Sequence, residues 1–417
     1  MYRVSHFVTS FALCLLGGAA IAMVWANLFP HNYADFIEMR LGDSAWVGYP
    51  NPDSPLPFGR TLTLGYLTGN VLMSFFFLYV GKELWEALAL KHGSLHGRRA
   101  VMPLLTALAA ALVPAVIYWL LSHLVTQPNL PRPGAGWPVA MAGDVSLSYV
   151  VGRLVLGKGH PALRFLLVIS IADDILALLA TGIAAPMASV QSGGLWLAIG
   201  AAVAVFVLFN WLPRWLDRGS SLRPATALVN RLSIWPYAVA GVLSWYGVQM
   251  AGLPPALGLL PIVPAIPHAD QAFGEFAEAE ELLSDMLNRI GHLLVVPVAV
   301  ILFLFALTHA GVSFAATDDE SFAVLGALLL GKPLGVWLGG WGALQLRGVT
   351  LPNGMLREDL VVVGIVAAIG MAVPLFAVGA TLPLGSLQAG AKVGLVFSAV
   401  AAPLALAVAR TIGAVRR

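Results

Sequence analysis

The chain has 417 residues, of which 59% are hydrophobic and only 11% charged. Soluble domains carry about 25% charged residues, so most of this chain cannot face water, and it reads as a polytopic membrane protein. The net charge of +2 excludes nothing by itself, and the single cysteine, Cys14, excludes an intrachain disulfide.

A bilayer core takes about 20 apolar residues per helix. That ruler predicts about twelve spans, at 9–28, 62–80, 101–122, 137–156, 163–184, 194–212, 235–250, 253–267, 291–309, 322–345, 360–382 and 391–413. The first reads as a retained helix because no small-residue cleavage site clearly follows it. The eighth, "LPPALGLLPIVPAIP", is short and proline-rich. Two connections are long. Residues 29–61 are rich in Pro, Gly and Asp, and 268–290 carry the acidic run "EFAEAEELLSD". The run reads as a solvated connector, with a surface helix as the alternative.

Orientation follows from Lys and Arg. With twelve spans and both termini cytoplasmic, about 18 of the 23 Lys and Arg fall inside. They include Lys82, Lys91, Arg98 and Arg99, then Arg153, Lys158 and Arg164, then Arg214, Arg218, Arg223 and Arg231. Arg40, Arg60, Arg132 and Lys392 fall outside.

Asp144, Asp173, Asp174 and Lys332 lie near the centres of predicted spans. Each costs roughly 2.5–3.5 kcal/mol there on insertion scales, and such residues mark ion or proton paths. The alternative is a purely structural ion pair, but three carboxylates against one lysine leave an unbalanced charge. Adjacent residues on a helix point about 100° apart. One of Asp173 and Asp174 can therefore pair with Lys332 while the other faces a water-filled cavity. Carboxylates this close repel and titrate as a coupled unit, for which a small cation and protons would compete.

Gly143 precedes Asp144 in mid-span, and Gly370 and Pro374 interrupt the eleventh span. Interruptions at corresponding places in two segments point to discontinuous helices at a binding site. Both segments are the middle member of a group of three, at 101–184 and 322–413, as inverted repeats require. Broken ends expose dipole ends and unpaired backbone groups, and Asp144 suits an N-terminal end, Lys332 a C-terminal one. Glu83 and Glu86 at the inner end of span two read either as a cytoplasmic acidic mouth or as a solvated helix end. His309 reads as a satisfied interface residue rather than a proton relay.

The stretches "NVLMSFFFLYVGKEL", "GWPVAMAGDVSLSYVVGRL", "PALRFLLVISIADDILALLA", "LFALTHAGVSF", "LLGKPLGVWLGGWGALQLRG" and "LVVVGIVAAIGMAVPLF" run through most of the chain. In them the chain resembles the NhaA-type sodium/proton antiporters, most specifically through "IADDI" and "GKPLG". The resemblance implies an all-α fold of inverted repeats with two discontinuous helices (1–417 as one transporter domain) and exchange of Na+ or Li+ for protons. It implies that Asp174 is the principal cation ligand, that Asp173 bridges to Lys332, and that Asp144 compensates the broken helices. It also implies a homodimer with a β-hairpin within residues 40–60. The chain departs from that pattern at Gly143, where the family has a threonine, and at Asn70, where it has an acid. "LWEAL" after Glu83, "LPPAL" in the eighth span and His309 also depart, which erodes the parts linked to pH sensing rather than the core.

The expectation is therefore an electrogenic, multi-pass antiporter of the bacterial inner membrane that serves pH homeostasis. It needs no cofactor and has lipid, Na+ or Li+, and protons as its partners. No P-loop or dinucleotide-binding pattern stands in a soluble segment, and no nucleic-acid partner is implied. Three rivals are a sodium-coupled organic-anion symporter, a decoupled non-transporting sensor and an intramembrane aspartyl protease. The last lacks its signature: "MAGD" has no first glycine, and no Tyr-Asp dipeptide occurs.

Overall fold

The computed structural model describes residues 6–52, 59–89, 100–125, 134–184, 191–218, 232–268 and 285–413. The acidic run 275–285, except its last residue Asp285, and the charges Lys91, Arg98, Arg99, Arg132, Arg223 and Arg231 lie outside the described residues.

Helix α1 (Phe7–Leu28) leads through the short α2 (Pro30–Ile37) into three strands, β1 (Arg40–Ser44), β2 (Tyr49–Pro50) and β3 (Arg60–Thr63). There follow α3 (Leu64–Ala87), α4 (Val101–Leu124), a 3-10 turn at Trp137–Ala140 and α5 (Val145–Leu156). Next come α6 (Pro161–Ala184), α7 (Ser192–Leu216), α8 (Trp235–Met250) and a 3-10 segment at Pro255–Ala265. The last are α9 (Met286–His309), α10 (Asp319–Leu344), α11 (Asp359–Ala367), α12 (Ala372–Thr381) and α13 (Ser386–Thr411).

Among the described residues nine helices are long and apolar enough to cross a membrane, or ten if the α11–α12 pair, bent by 50°, counts as one span. Every predicted span has an apolar element in its place, but the count of twelve crossings is not reached. The shortfall is one of length. Sixteen α-helical residues in α8 rise about 24 Å, and eleven 3-10 residues at Pro255–Ala265 rise about 22 Å, against about 30 Å of hydrocarbon. Three prolines at 255, 261 and 264 withhold amide donors, which keeps that run out of an α-helix. The predicted hairpin within 40–60 is a three-stranded antiparallel sheet of order β1-β3-β2 that reaches Thr63, with Arg40 opposite Thr63 and Tyr49 opposite Thr61.

Many large apolar side chains point outward, among them Val24, Leu124, Leu154, Ile183, Val242 and Val296, as lipid contact requires of a multi-pass membrane protein. A set of polar and charged side chains is turned inward, among them Lys82, Glu83, Asp144, Asp173, Asp174 and Lys332. α10 lies against α4 along a seam of small residues. A Cβ on Gly331 would stand 2.5 Å from Pro114 Cα, one on Gly335 2.5 Å from the Ala109 carbonyl oxygen, and one on Gly339 2.8 Å from the Leu105 carbonyl oxygen. Glycine at every fourth position lets the two backbones touch. That seam, together with Gly364 of α11 seated on Pro333, carries Lys332 into the centre of the molecule.

Candidate functional site

Two interrupted elements meet at the centre. In the first, the 3-10 turn ends at Ala140, residues 141–143 are non-helical, and α5 begins after Asp144. In the second, α11 ends at Ala367 and α12 starts at Ala372. Gly143 and Gly370 lie in these breaks, as predicted. Pro374 does not. It sits in the first turn of α12, where an amide has no intrahelical acceptor in any case, so it costs no hydrogen bond and interrupts nothing. The break falls at 368–371, where the Gly370 amide donates to Ser398 Oγ at 3.0 Å.

Asp144 closes two helix N-termini at once. Its backbone is extended, and its Oδ1 accepts from the Leu147 amide of α5 at 2.8 Å. Its Oδ2 accepts from the Ala372 amide, the first of α12, at 3.0 Å. One negative charge thus faces two positive dipole ends. Lys332 serves the opposite pole. Its ammonium donates to the carbonyl of Met141, at the end of the 3-10 turn, and pairs with Asp173 Oδ2 at 2.5 Å. Lys332 and Asp173 are both 0% exposed.

Asp174 points elsewhere. It lines a cavity with Asp144, Ser146, Ala372, Phe76 and Tyr79. Its Oδ1 is buried without a hydrogen-bond partner among the described residues, as is Asp173 Oδ1. Both Asp144 oxygens are engaged and Asp173 is neutralised by Lys332. Asp174 is therefore the carboxylate with charge and a lone pair left for a cation or a proton. The structure brings Asp144, Asp173, Asp174 and Lys332 into one connected site.

Gly143 is explained by contact. A Cβ there would stand 2.5 Å from the Ala367 carbonyl oxygen, at the end of α11. Glycine lets the two breaks cross. Restoring the family's threonine at this position would therefore do more than add a cation-ligating oxygen. Gly143→Thr should force the crossing apart and lower the yield and melting temperature of the folded protein, as size-exclusion and thermal-shift assays would register. A well-folded Gly143→Thr protein with improved Na+ affinity would refute the packing account. Asp144→Ala should likewise cost about 1 kcal/mol for each cap lost; a thermal-shift assay that finds no loss would sever Asp144 from the helix ends.

Glu83 and Glu86 are not a solvated helix end. They are 2% and 3% exposed and pair with the buried Lys82, at 3.2 Å and 2.8 Å. The lysine packs its stem on Gly291 of α9. His309 is satisfied as expected. Its Nδ1 lies 2.8 Å from Thr308 Oγ1 and 3.2 Å from the Phe305 carbonyl oxygen, and its ring stacks on Phe305. Asn70 lies in a π-helical turn at Leu67–Leu72 and lends its carbonyl to Trp245 Nε1 at 3.1 Å. Sequence reasoning missed the Met141 carbonyl, the neutralising role of Lys82, and a buried Tyr118–Glu320 hydrogen bond.

A cavity-lining acid beside a lysine-neutralised one, at the crossing of two broken helices, defines the class of ion-coupled secondary transporters. Residues 3–409 match the family model described as Na+/H+ antiporter 1. The chain is 46% identical over 411 residues to the Na(+)/H(+) antiporter NhaA of Jannaschia sp. (strain CCS1), covering 98% of both chains. It is 34% identical to that of Desulfitobacterium hafniense (strain DSM 10664 / DCB-2), covering 98% of this chain and 96% of the relative. The solved sodium proton antiporter MjNhaP1 from Methanocaldococcus jannaschii shares the fold, with a TM-score of 0.53, at 14% identity over 96% of this chain and 91% of that one. The chain belongs to the Na+/H+ antiporter 1 family.

Proposed function

We propose that this protein exchanges Na+ or Li+ for protons across the bacterial inner membrane by electrogenic alternating access, with both termini in the cytoplasm, and so contributes to pH homeostasis. The observation that carries the reading is the division of labour between adjacent aspartates: Asp173 is paired with Lys332 and Asp174 lines the cavity. Asp174 binds the cation when ionised and a proton otherwise. Asp173 exchanges a further proton as its bond to Lys332 breaks and re-forms. Asp144 balances the helix ends in both states. No cofactor enters the cycle, because the proton gradient and membrane potential supply the driving force. The groups 101–184 and 322–413 act as inverted repeats about the crossing, and residues 29–61 carry the sheet through which two copies pair. Glu83 and Glu86 stand at the inner approach, held by Lys82. The narrow lining of Phe76, Tyr79 and other apolar side chains around Asp174 favours a bare cation over an organic anion.

The test is dequenching of a pH dye in proteoliposomes on addition of Na+, Li+ and K+ in turn at several pH values. Na+ and Li+ should release protons and K+ should not. If one proton competes with one cation at Asp174, the apparent Michaelis constant should rise about tenfold per unit of pH in the acid limb. No response to Na+ or Li+ at any pH would end the exchange reading.

A further inference from the structure

Glu320 is the second residue of α10 and is 3% exposed, while Asp319 beside it and Thr317 are exposed. Tyr118 of α4, 1% exposed, donates its hydroxyl hydrogen to Glu320 Oε1. The ion pairs among the described residues involve other groups, so this buried carboxylate has a phenol but no cation. A carboxylate removed from water without a counter-ion is costly, and one neutral hydroxyl offsets only part of that cost, whereas a bound proton removes the charge. The group stands one residue from an exposed helix end, within reach of outside protons.

Its surroundings single it out further. The charged groups on its own helix start are Asp318, whose Oδ1 accepts from the Ser321 amide as the N-cap, and the exposed Asp319. α4 contributes Tyr118 and His123, the latter bonded to the Trp119 carbonyl at 2.7 Å. α13 contributes Lys392, which forms no ion pair among the described residues. The Tyr118 hydroxyl also lies against Gly136, the residue that opens the 3-10 turn whose far end is held by Lys332. Glu320 is therefore linked to Lys332 twice, along α10 and through Tyr118 and that turn.

We propose that Glu320, with Tyr118, is a second proton-binding site, on the outer side of the core and separate from the aspartate pair, which loads from the external solution. Resting on the exchange reading for its consequence, the site makes exchange depend on external pH independently of internal pH. When Glu320 takes up a proton, the buried charge disappears and α4, α10 and Gly136 are held by neutral hydrogen bonds. When it releases the proton, the charge returns at the mouth of the first broken element.

The test uses the full chain in proteoliposomes of one orientation, with internal pH clamped and external pH varied. Glu320→Gln should keep Na+-driven exchange and the external-pH dependence that proton competition at Asp174 supplies, and lose the additional external titration step. Tyr118→Phe removes a donor to the ionised form, which favours the protonated one, and should move the external midpoint to higher pH. Infrared difference spectra between acid and alkaline outer solution should show a protonated-carboxyl band that Glu320→Gln lacks. An unchanged external-pH profile, or an unchanged carboxyl band, in Glu320→Gln overturns the proposal. If Glu320→Gln does not insert, an unshifted midpoint in Tyr118→Phe overturns it instead. Absence of all exchange in the unmutated protein would overturn the exchange reading alone, because the infrared band needs no transport.

Discussion

Asp174→Asn should reduce Na+-dependent proton release to the level of empty liposomes while leaving the protein folded. The substitution keeps the shape of the side chain and removes its charge. Asp174 holds no helix end and pairs with no lysine, so little of the packing depends on its ionisation. Its unpartnered Oδ1 and its place on the cavity wall leave its charge available to a cation in the proposed cycle. Asp173→Asn offers the contrast. It breaks the pair with Lys332 and should impair transport, yet leave cation binding measurable by calorimetry. Residual transport in Asp174→Asn, with binding abolished in Asp173→Asn, would mean that the two aspartates have exchanged roles.

Lys332→Gln should make exchange slow and electroneutral. A cycle that moves one proton per Na+ carries no net charge, whereas two protons per Na+ carry one, worth about 2.3 kcal/mol per 100 mV. In the proposed cycle the Asp173–Lys332 pair carries the second proton that the latter requires. In the unmutated protein an inside-negative potential should drive Na+ out, and collapsing it with valinomycin and K+ should slow the flux. In Lys332→Gln the potential should cease to matter. The change also strands Asp173 and the Met141 carbonyl, both held by the same ammonium. Breaking a buried ion pair from one side costs about 3–5 kcal/mol, so a large fall in melting temperature should accompany the loss. Equal Na+ fluxes at zero and large potential in the unmutated protein would reduce Lys332 to that structural duty.

The centre of the molecule was legible because its residues break the rules of a membrane helix. Charge, glycine and proline in apolar runs are conspicuous, and both dipole assignments, Asp144 to helix starts and Lys332 to a helix end, followed from sign alone. Positions that break no rule were silent. Glu320 stands two residues before the predicted start of its span at 322, where an acid at a helix N-terminus is ordinary, and it is α4 and α13, packed against that helix start, that bury it. Lys82 served in the sequence only as one more inner charge, and its neutralisation of Glu83 and Glu86 takes place in a buried setting against α9, distant in the chain. Pro374 shows the limit of a local signal. Proline marks a place near a helix start as readily as a break, and its side of the gap is decided by the partners of Gly370 and Ala372.

A single carboxylate that terminates two helices from different halves of the chain has a mechanical meaning. Pulling α5 and α12 apart would forfeit the bonds to Leu147 and Ala372 together, whereas turning one about Asp144 need lengthen neither. The Gly143 contact with Ala367 lies beside the same point and leaves no slack for sliding. The least costly large motion of the core is therefore a rocking one with its fulcrum at Asp144, beside the cavity that Asp174 lines.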